Sequence, residues 1–155
     1  MENTNEAKAK VLFRVPEPDG SAQVETLWAV SLGDDKYLLE NSPFFAYSVS
    51  WQDIVYAPYA NAEGHPTFSK IISKSGNRTI RVILDPPLEN GNSSEKIAET
   101  LVQMKCSYEG TNGSYLSVNI PPEANLDQIR QFLIEKEIQF EHADPKYDDL
   151  FQETI

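Results

Sequence analysis

The sequence predicts an α+β protein in which a small N-terminal β-barrel-like sheet precedes a C-terminal ferredoxin-like β-α-β-β-α-β sandwich. Before residues 75–77, apolar residues occur in short β-like runs separated by turn residues, without helical periodicity. After this point the chain twice repeats the order strand, Pro-Pro, Asn-capped helix, strand. With 40% hydrophobic and 24% charged residues, the composition is that of a folded protein rather than a disordered one.

These patterns divide the 155 residues into four segments. The segments are a flexible polar arm at 1–9, the β-barrel-like subdomain at 10–77, the ferredoxin-like sandwich at 78–143 and an acidic tail at 144–155. Within the tail, Leu150 and Phe151 are the apolar residues that we expect to anchor it to the body as a helical turn.

The N-terminal half contains five runs of strand-forming residues. These runs lie at residues 11–15, 27–32, 36–39, 53–57 and 68–72. The stretch Gly33-Asp34-Asp35 between the second and third runs predicts a hairpin turn. Because no helix is available to cover a face of this sheet, we expect the sheet to curl into a small barrel.

The C-terminal half begins with a β-branched strand at residues 79–84, which Pro86 and Pro87 end because proline cannot donate to a strand ladder. Asn92 precedes Glu95 by three residues, which is the spacing of a helix capping box. Apolar residues then recur on one helical face, and a second strand begins near residue 106.

The same order returns after Gly113. A strand at residues 115–120 ends at a second Pro-Pro pair, Asn125 and Gln128 repeat the capping spacing, and a closing strand follows near 138–140. Two such units in tandem predict two helices on one face of a four-stranded antiparallel sheet.

The charge balance narrows the classes of partner. Against 13 Lys and Arg there are 24 Asp and Glu, so the net charge is −11, and we expect neither nucleic acid nor an anionic membrane as a partner. No run of about 18 apolar residues is present and the first ten residues are polar, which predicts neither a membrane span nor a secretory signal. A single cysteine favours the reducing cytoplasm as the location.

Little in the sequence indicates catalysis or cofactor binding. One cysteine, Cys106, and two histidines, His65 and His142, leave too few ligands for the common zinc sites, and we expect no metal or other cofactor. Neither a Gly-x-Ser-x-Gly elbow nor a phosphate-binding glycine loop occurs, so no catalytic residue is predicted. Cys106 is interpreted as a small buried core residue, and His142 as a surface histidine whose pKa a neighbouring carboxylate would raise.

Two groups of residues are candidate binding sites. Among the last 21 residues, seven acids accompany only two lysines, and we interpret the acids as a surface for a basic partner or, alternatively, as a solvated face that aids solubility. These acids are Glu135, Glu137, Glu141, Asp144, Asp148, Asp149 and Glu153. The second group consists of Phe44, Phe45, Tyr47 and Trp51, which either fill the interior of the barrel or line a ligand pocket between the two subdomains.

Two phrases of the sequence are specific enough to suggest a family. They are Asn-Ser-Pro-Phe-Phe at residues 41–45 and Ser-Gly-Asn-Arg-Thr-Ile-Arg at 75–81. With the runs at 27–32, 37–47 and 53–56, they resemble the bacterial family filed as domain of unknown function 4265 over residues 8–145. The family brings no catalytic residues. The resemblance implies a setting in which short acidic bacterial proteins act as immunity proteins, which neutralise a toxin by binding it.

The leading hypothesis is therefore a non-catalytic binding protein, in the form of an immunity protein that neutralises a cognate basic toxin through its acidic surface. The alternative is a small-molecule sensor or regulatory module that uses the aromatic group as its pocket. An enzyme of unknown type is the third hypothesis.

Overall fold

The computed structural model describes residues 7–110 and 112–151. The chain forms two compact units, and the division falls between Ser75 and Gly76. Both units are built on antiparallel sheets, and helices occur in the C-terminal unit, so the predicted α+β class is confirmed.

The N-terminal unit consists of seven strands among its described residues. These are β1 (Lys8–Pro16), β2 (Ala22–Gly33), β3 (Lys36–Leu39), β4 (Ile54–Tyr56), β5 (Tyr59–Ala60), β6 (His65–Pro66) and β7 (Lys70–Ser73). Five of them form an antiparallel sheet in the order β1-β2-β3-β4-β7, and β5 pairs with β6 as a separate short hairpin. Strand β1 begins at Lys8, which lies inside the arm predicted for residues 1–9.

The predicted barrel is not closed. The outer strands β1 and β7 do not pair with each other, and the chain preceding β7 meets β1 at one isolated bridge between Leu12 and Thr67. There the Phe68 N–H donates to the Leu12 carbonyl at 2.9 Å. Because β1 and β7 form no ladder, the described strands form an open sheet, although Phe13 of β1 also stacks on Phe68 with ring centroids 4.9 Å apart.

Side chains on the two faces of this sheet differ in chemistry. The inner face carries the apolar core, which includes Val11, Phe13, Leu27, Ala29, Leu39 and Val55. The outer face carries Lys10 and Trp28, which are cross-strand partners. The predicted hairpin between β2 and β3 is confirmed: Gly33, Asp34 and Asp35 have positive φ angles of 86°, 55° and 60°, a conformation in which glycine and aspartate are tolerated.

The C-terminal unit contains four longer strands and three helices among its described residues. In chain order they are β8 (Arg78–Ile83), α1 (Ser93–Gln103), β9 (Ser107–Gly110), β10 (Tyr115–Ile120), α2 (Leu126–Glu135), β11 (Gln139–Asp144) and the one-turn helix α3 (Tyr147–Leu150). The strands form one antiparallel sheet in the order β11-β8-β10-β9.

Both longer helices pack on one core with the sheet. The core combines Ile80, Val82, Val118 and Ile120 from the two central strands with Ile97, Leu101, Ile129 and Leu133 from α1 and α2. Burial of each such side chain stabilises the fold by about 1.5–3 kcal/mol. Leu150 packs against the same core, so it anchors the tail as the sequence predicts.

Both predicted helix caps are present. The Asn92 side chain accepts a hydrogen bond from the Glu95 N–H at 2.9 Å, and the Asn125 side chain accepts one from the Gln128 N–H at 3.0 Å. Each bond satisfies a backbone donor that has no partner within the first turn of its helix. No helix in the described part of the chain has the length and apolar character needed to cross a membrane.

Candidate functional site

The C-terminal unit contains a groove of about 490 Å³ beside α1, which we call the glutamate groove. Its lining contains three glutamates together with apolar and neutral polar side chains, and no Lys, Arg or His. The lining residues are Leu88, Glu89, Asn90, Glu95, Ala98, Glu99, Val102, Gln103 and Tyr108.

One face of α1 forms a wall of the groove. Glu95, Glu99 and Val102 follow at spacings of four and three residues, which place them in a row along the helix. Ile97 and Leu101 point instead into the core, so the helix position is fixed by burial on its opposite side. Val102 remains more than half exposed and offers apolar surface inside an acidic rim.

The segment between β8 and α1 forms the second wall and is held by hydrogen bonds. The Leu88 N–H donates to the Gly113 carbonyl at 2.8 Å, and the Ser94 hydroxyl donates to the Pro86 carbonyl. Glu95 Oε1 accepts from the Gly91 N–H at 3.0 Å, so this glutamate also orders the helix start. The groove is therefore a preformed surface of ordered backbone.

The other two glutamates are available to a partner. Within residues 7–110 and 112–151, the carboxylates of Glu89 and Glu99 have no hydrogen-bond or ion-pair partner, and both residues are exposed. An apolar floor beside two unpaired carboxylates is suited to a side chain with an apolar stem and a cationic end, such as lysine or arginine. Composition alone did not indicate this site, because its residues come from three separate segments.

The predicted acidic surface is dispersed in the structure. Glu135 and Glu137 are exposed at the end of α2, and Asp148 and Asp149 are exposed on α3. The six-residue strand β11 lies between these two pairs and spans roughly 20 Å.

The remaining predicted acids differ in environment. Glu141 is exposed but accepts a hydrogen bond at 2.8 Å from the Nε of Arg81, whose side chain is buried. Asp144 is only 7% exposed and therefore offers little surface to a partner. Glu153 lies outside the described residues.

The predicted aromatic group lies between β3 and β4. Phe45, Tyr47 and Trp51 are 40%, 41% and 36% exposed, and Phe44 is partly buried. The apolar core of this unit receives Ala46 and Val49 from the same segment. Exposure of three rings does not fit complete burial in a barrel interior, and ligand binding by this group stays a prediction.

Glu25 organises the aromatic segment, a role that the sequence did not suggest. Its carboxylate accepts hydrogen bonds from three consecutive backbone N–H groups, those of Phe44, Phe45 and Ala46, at 2.9, 2.7 and 2.7 Å. A carboxylate is suited to this role because it has only acceptor sites. An acid in the middle of a strand is the one signal that could have indicated a structural role.

His142 is buried, so its predicted position on the surface is wrong. The ring lies 5.5 Å from that of Phe140 and 6.0 Å from those of Tyr147 and Phe151. The Nε of Arg130 donates to His142 Nε2 at 3.0 Å. Burial, assisted by the charge of Arg130, lowers the pKa of His142 below 6.5, opposite to the direction predicted from its carboxylate neighbours.

Cys106 is buried in the core of the C-terminal unit, as predicted. Burial raises the pKa of its thiol to about 11, and the nearby positive charge of Arg78 opposes this rise only in part. Because the thiolate is the reactive form, this environment suits a structural residue. Among the described residues, no group of three or more His, Cys, Asp and Glu side chains is placed to hold a metal ion.

Comparison with known proteins identifies relatives of unknown activity. The family model described as "Domain of unknown function (DUF4265)" matches residues 25–142. A solved structure, described as a hypothetical protein from Neisseria gonorrhoeae, is similar with a TM-score of 0.76 and 20% sequence identity, over 92% of this chain and 99% of that chain. At this identity the likeness shows the fold alone. No curated protein matches the chain.

Proposed function

The chain belongs to the DUF4265 family, and from this premise we propose that it is a non-catalytic binding protein that engages a basic protein through the acidic surface of its C-terminal unit. A cognate toxin is the partner class that fits the proposal, and the chain would then be an immunity protein. The glutamate groove carries this proposal because its concave lining combines apolar side chains with three glutamates and includes no Lys, Arg or His.

Electrostatics support a basic partner in two ways. The net charge of −11 raises the rate of encounter with a positively charged protein, since opposite potentials steer association. At short range, Glu89 and Glu99 lose no existing ion pair when they meet a cation. Glu135, Glu137, Asp148 and Asp149 would extend the field on the same unit and make contacts at the rim of an interface.

We also infer that the C-terminal unit has the ferredoxin-like arrangement. What supports this inference is the element order β-α-β-β-α-β from β8 to β11, the sheet order β11-β8-β10-β9 and the shared core of both helices. This fold hosts many unrelated functions, so the functional proposal depends on the groove rather than on the fold.

A charge-reversal titration tests the proposal. Purified basic proteins encoded next to this gene would be titrated by calorimetry into the wild-type chain and into the double variant Glu89→Lys/Glu99→Lys. We expect a complex with the wild type and an affinity lowered by about 100-fold or more in the variant, because close charge pairs at interfaces couple strongly. Glu17→Lys, a single reversal in a turn of the N-terminal unit, is the control for the change in overall charge and should lower the affinity by less than about twofold.

A second variant separates the groove from the acids predicted by the sequence. Glu135→Lys/Glu137→Lys should slow association, lower its dependence on salt and weaken the affinity by less than about twofold, as expected for charges at the rim. Equal loss of affinity in both double variants would assign the contact to the general acidity of the unit. Binding that neither variant alters would contradict the proposal.

A further inference from the structure

We propose that the outer face of the N-terminal sheet is a second docking surface, and that its occupant is an acidic amphipathic segment of a partner protein. We call this surface the cationic face and define it by Lys10, Arg14, Trp28, Lys36, Tyr56 and Lys70. It goes beyond the proposed function, which uses carboxylates of the C-terminal unit, and it has the opposite charge.

Strand register places these side chains on one face. Lys10 is the cross-strand partner of Trp28, and Lys36 and Lys70 are both partners of Tyr56. Directly opposed residues in an antiparallel pair project to the same side of the sheet. The ring contacts agree, since the ammonium groups of Lys10 and Lys70 lie 4.9 and 5.6 Å from the ring centroids of Trp28 and Tyr56.

Positive charge is concentrated here in a chain that is strongly acidic overall. Residues 1–75 contain six Lys and Arg, and all except Lys74 lie in the paired strands of this face. Lys8 and Arg14 form ion pairs with Glu40 and Glu63 at 2.6 and 2.5 Å. Within the described residues, Lys10, Lys36 and Lys70 have no carboxylate partner.

The strand residues of this face include no carboxylate. The two acids beside them, Glu40 directly after β3 and Glu63, are already paired with Lys8 and Arg14. The acid in the middle of β2, Glu25, is the partner of Phe13, which belongs to the core on the inner side. Its carboxylate is already bound to the backbone of residues 44–46. The three unpaired lysines are therefore left for charges that another molecule supplies.

Apolar surface accompanies the lysines. Trp28 is 49% exposed, and Val24 and Leu32, four residues before and after it on the same strand, are 45% and 50% exposed. Because residues an even number of positions apart share a face of a strand, all three lie on the side of the cationic side chains. Tryptophan is among the residues that contribute most to binding when an interface covers them, so a partner with both apolar and acidic side chains gains from each component.

An acidic protein segment fits this face better than single-stranded nucleic acid. Bases bind such platforms by stacking on exposed ring faces, but lysine ammonium groups already lie over the rings of Trp28 and Tyr56. A carboxylate can pair with these ammonium groups without displacing them from the rings. Val24 and Leu32 offer contact to aliphatic side chains and no stacking surface.

The two tryptophans of the chain provide the experiment with an internal reference. A synthetic peptide of about 12 residues that alternates Glu and Leu, long enough to cross the sheet, would be titrated into the ¹⁵N-labelled protein. We expect the indole N–H signal of Trp28 to shift, while that of Trp51, in the segment between β3 and β4, stays in place. The matched peptide with Lys in place of Glu should not bind this face.

Charge reversal identifies the lysines that carry binding. Lys10→Glu/Lys70→Glu should weaken binding of the Glu-Leu peptide by about tenfold or more, whereas Lys96→Glu, on the exposed side of α1, should not. Lys36→Glu removes neither ring contact and serves as a second variant, with an expected loss of about threefold, if the double variant does not fold.

Three outcomes would overturn the proposal. One is absence of a Trp28 shift at millimolar peptide, and another is equal binding of the acidic and basic peptides. The third is a shift of Trp28 by an oligothymidine strand at concentrations where the Glu-Leu peptide gives none, which would assign the face to nucleic acid. Because all contacts lie in the N-terminal unit, none of these results bears on the glutamate groove.

Discussion

At the scale of single residues, Glu25 connects a strand to the segment that carries the aromatic rings. Its carboxylate accepts three backbone hydrogen bonds, so Glu25→Gln replaces one acceptor oxygen with an NH₂ group that faces a backbone donor. We expect the free energy of unfolding to fall by about 2 kcal/mol, measured by urea denaturation. Amide exchange at residues 44–46 should accelerate in the same variant.

Glu99→Gln is the matched control for this substitution, because Glu99 is exposed and its carboxylate has no partner among the described residues. It should change the free energy of unfolding by less than about 0.5 kcal/mol. Similar effects of the two substitutions would mean that the bonds to Glu25 add nothing beyond what water provides.

His142 should make stability depend on pH at mildly acidic values. Its pKa in the folded chain lies below the unfolded value of 6.5, so the unfolded chain binds more protons as the pH falls below 6.5. The free energy of unfolding is therefore expected to decrease as the pH falls from about 6.5 to the lowered pKa. Above about pH 7.5, His142 is neutral in both states and its stabilising contribution is fully present. The loss should accompany release of the packing between His142, Tyr147 and Phe151.

His142→Gln provides the comparison, since the glutamine oxygen can still accept from Arg130 but does not titrate. We expect the wild type to have the higher free energy of unfolding at about pH 7.5, and the difference between the two proteins to narrow as the pH falls to about 5.5. Urea denaturation of both proteins over this range measures the difference. Parallel pH profiles for the two proteins would contradict the assignment to His142.

At the scale of elements, the two asparagine caps are predicted to contribute unequally. Asn125 makes one capping bond to the Gln128 N–H, whereas Asn92 accepts from the Glu95 N–H and also donates from Nδ2 to the Pro87 carbonyl at 2.7 Å. We expect Asn125→Ala to cost about 1 kcal/mol of unfolding free energy and Asn92→Ala about 2 kcal/mol. Asn90→Ala, at an exposed position, is the control, and equal effects at Asn90 and Asn92 would show that the cap is unimportant.

These elements also explain how much of the fold the sequence could predict. The caps, the Pro-Pro strand ends and the β2–β3 hairpin were predictable because each depends on residues within a few positions of one another. Strand β1 extends from Lys8 to Pro16, beyond the predicted run at residues 11–15. Its ends were not predicted because they carry lysine and proline rather than apolar residues. Closure of the barrel was predicted wrongly because it depends on pairing between β1 and β7, which lie more than 50 residues apart in the chain.

The candidate sites were less predictable for the same reason. The glutamate groove joins Leu88, α1 and Tyr108, and the cationic face joins Lys10 to Trp28 through strand register, so neither is visible as a local motif. Conversely, a dense run of acids in the sequence indicated one surface, yet Asp144 is buried and β11 separates the remaining acids. Composition predicted that the C-terminal unit is negatively charged, but not which of its carboxylates lie on a surface that a partner could contact.

At the scale of the whole molecule, the charge of −11 should weaken the folded state through self-repulsion. Salt screens this repulsion, and it also weakens exposed ion pairs such as Lys8–Glu40, which contribute only about 0–1 kcal/mol each. Because acids exceed bases so strongly, we expect relief of repulsion to dominate. The free energy of unfolding should rise by about 1 kcal/mol between about 0.02 and 0.3 M NaCl.

Two charge variants test this explanation directly. Each reversal changes the net charge by two, so Lys10→Glu/Lys70→Glu takes −11 to −15 and Glu135→Lys/Glu137→Lys takes it to −7. The increase in unfolding free energy with NaCl should be largest at −15 and smallest at −7, in urea denaturation series at fixed pH. An increase of the same size in all three proteins would point to a general salt effect on burial of apolar surface, and a decrease would mean that ion pairs dominate. Because each variant also reverses charges on one proposed binding surface, the effects of NaCl on folding and on binding can be compared in the same three proteins.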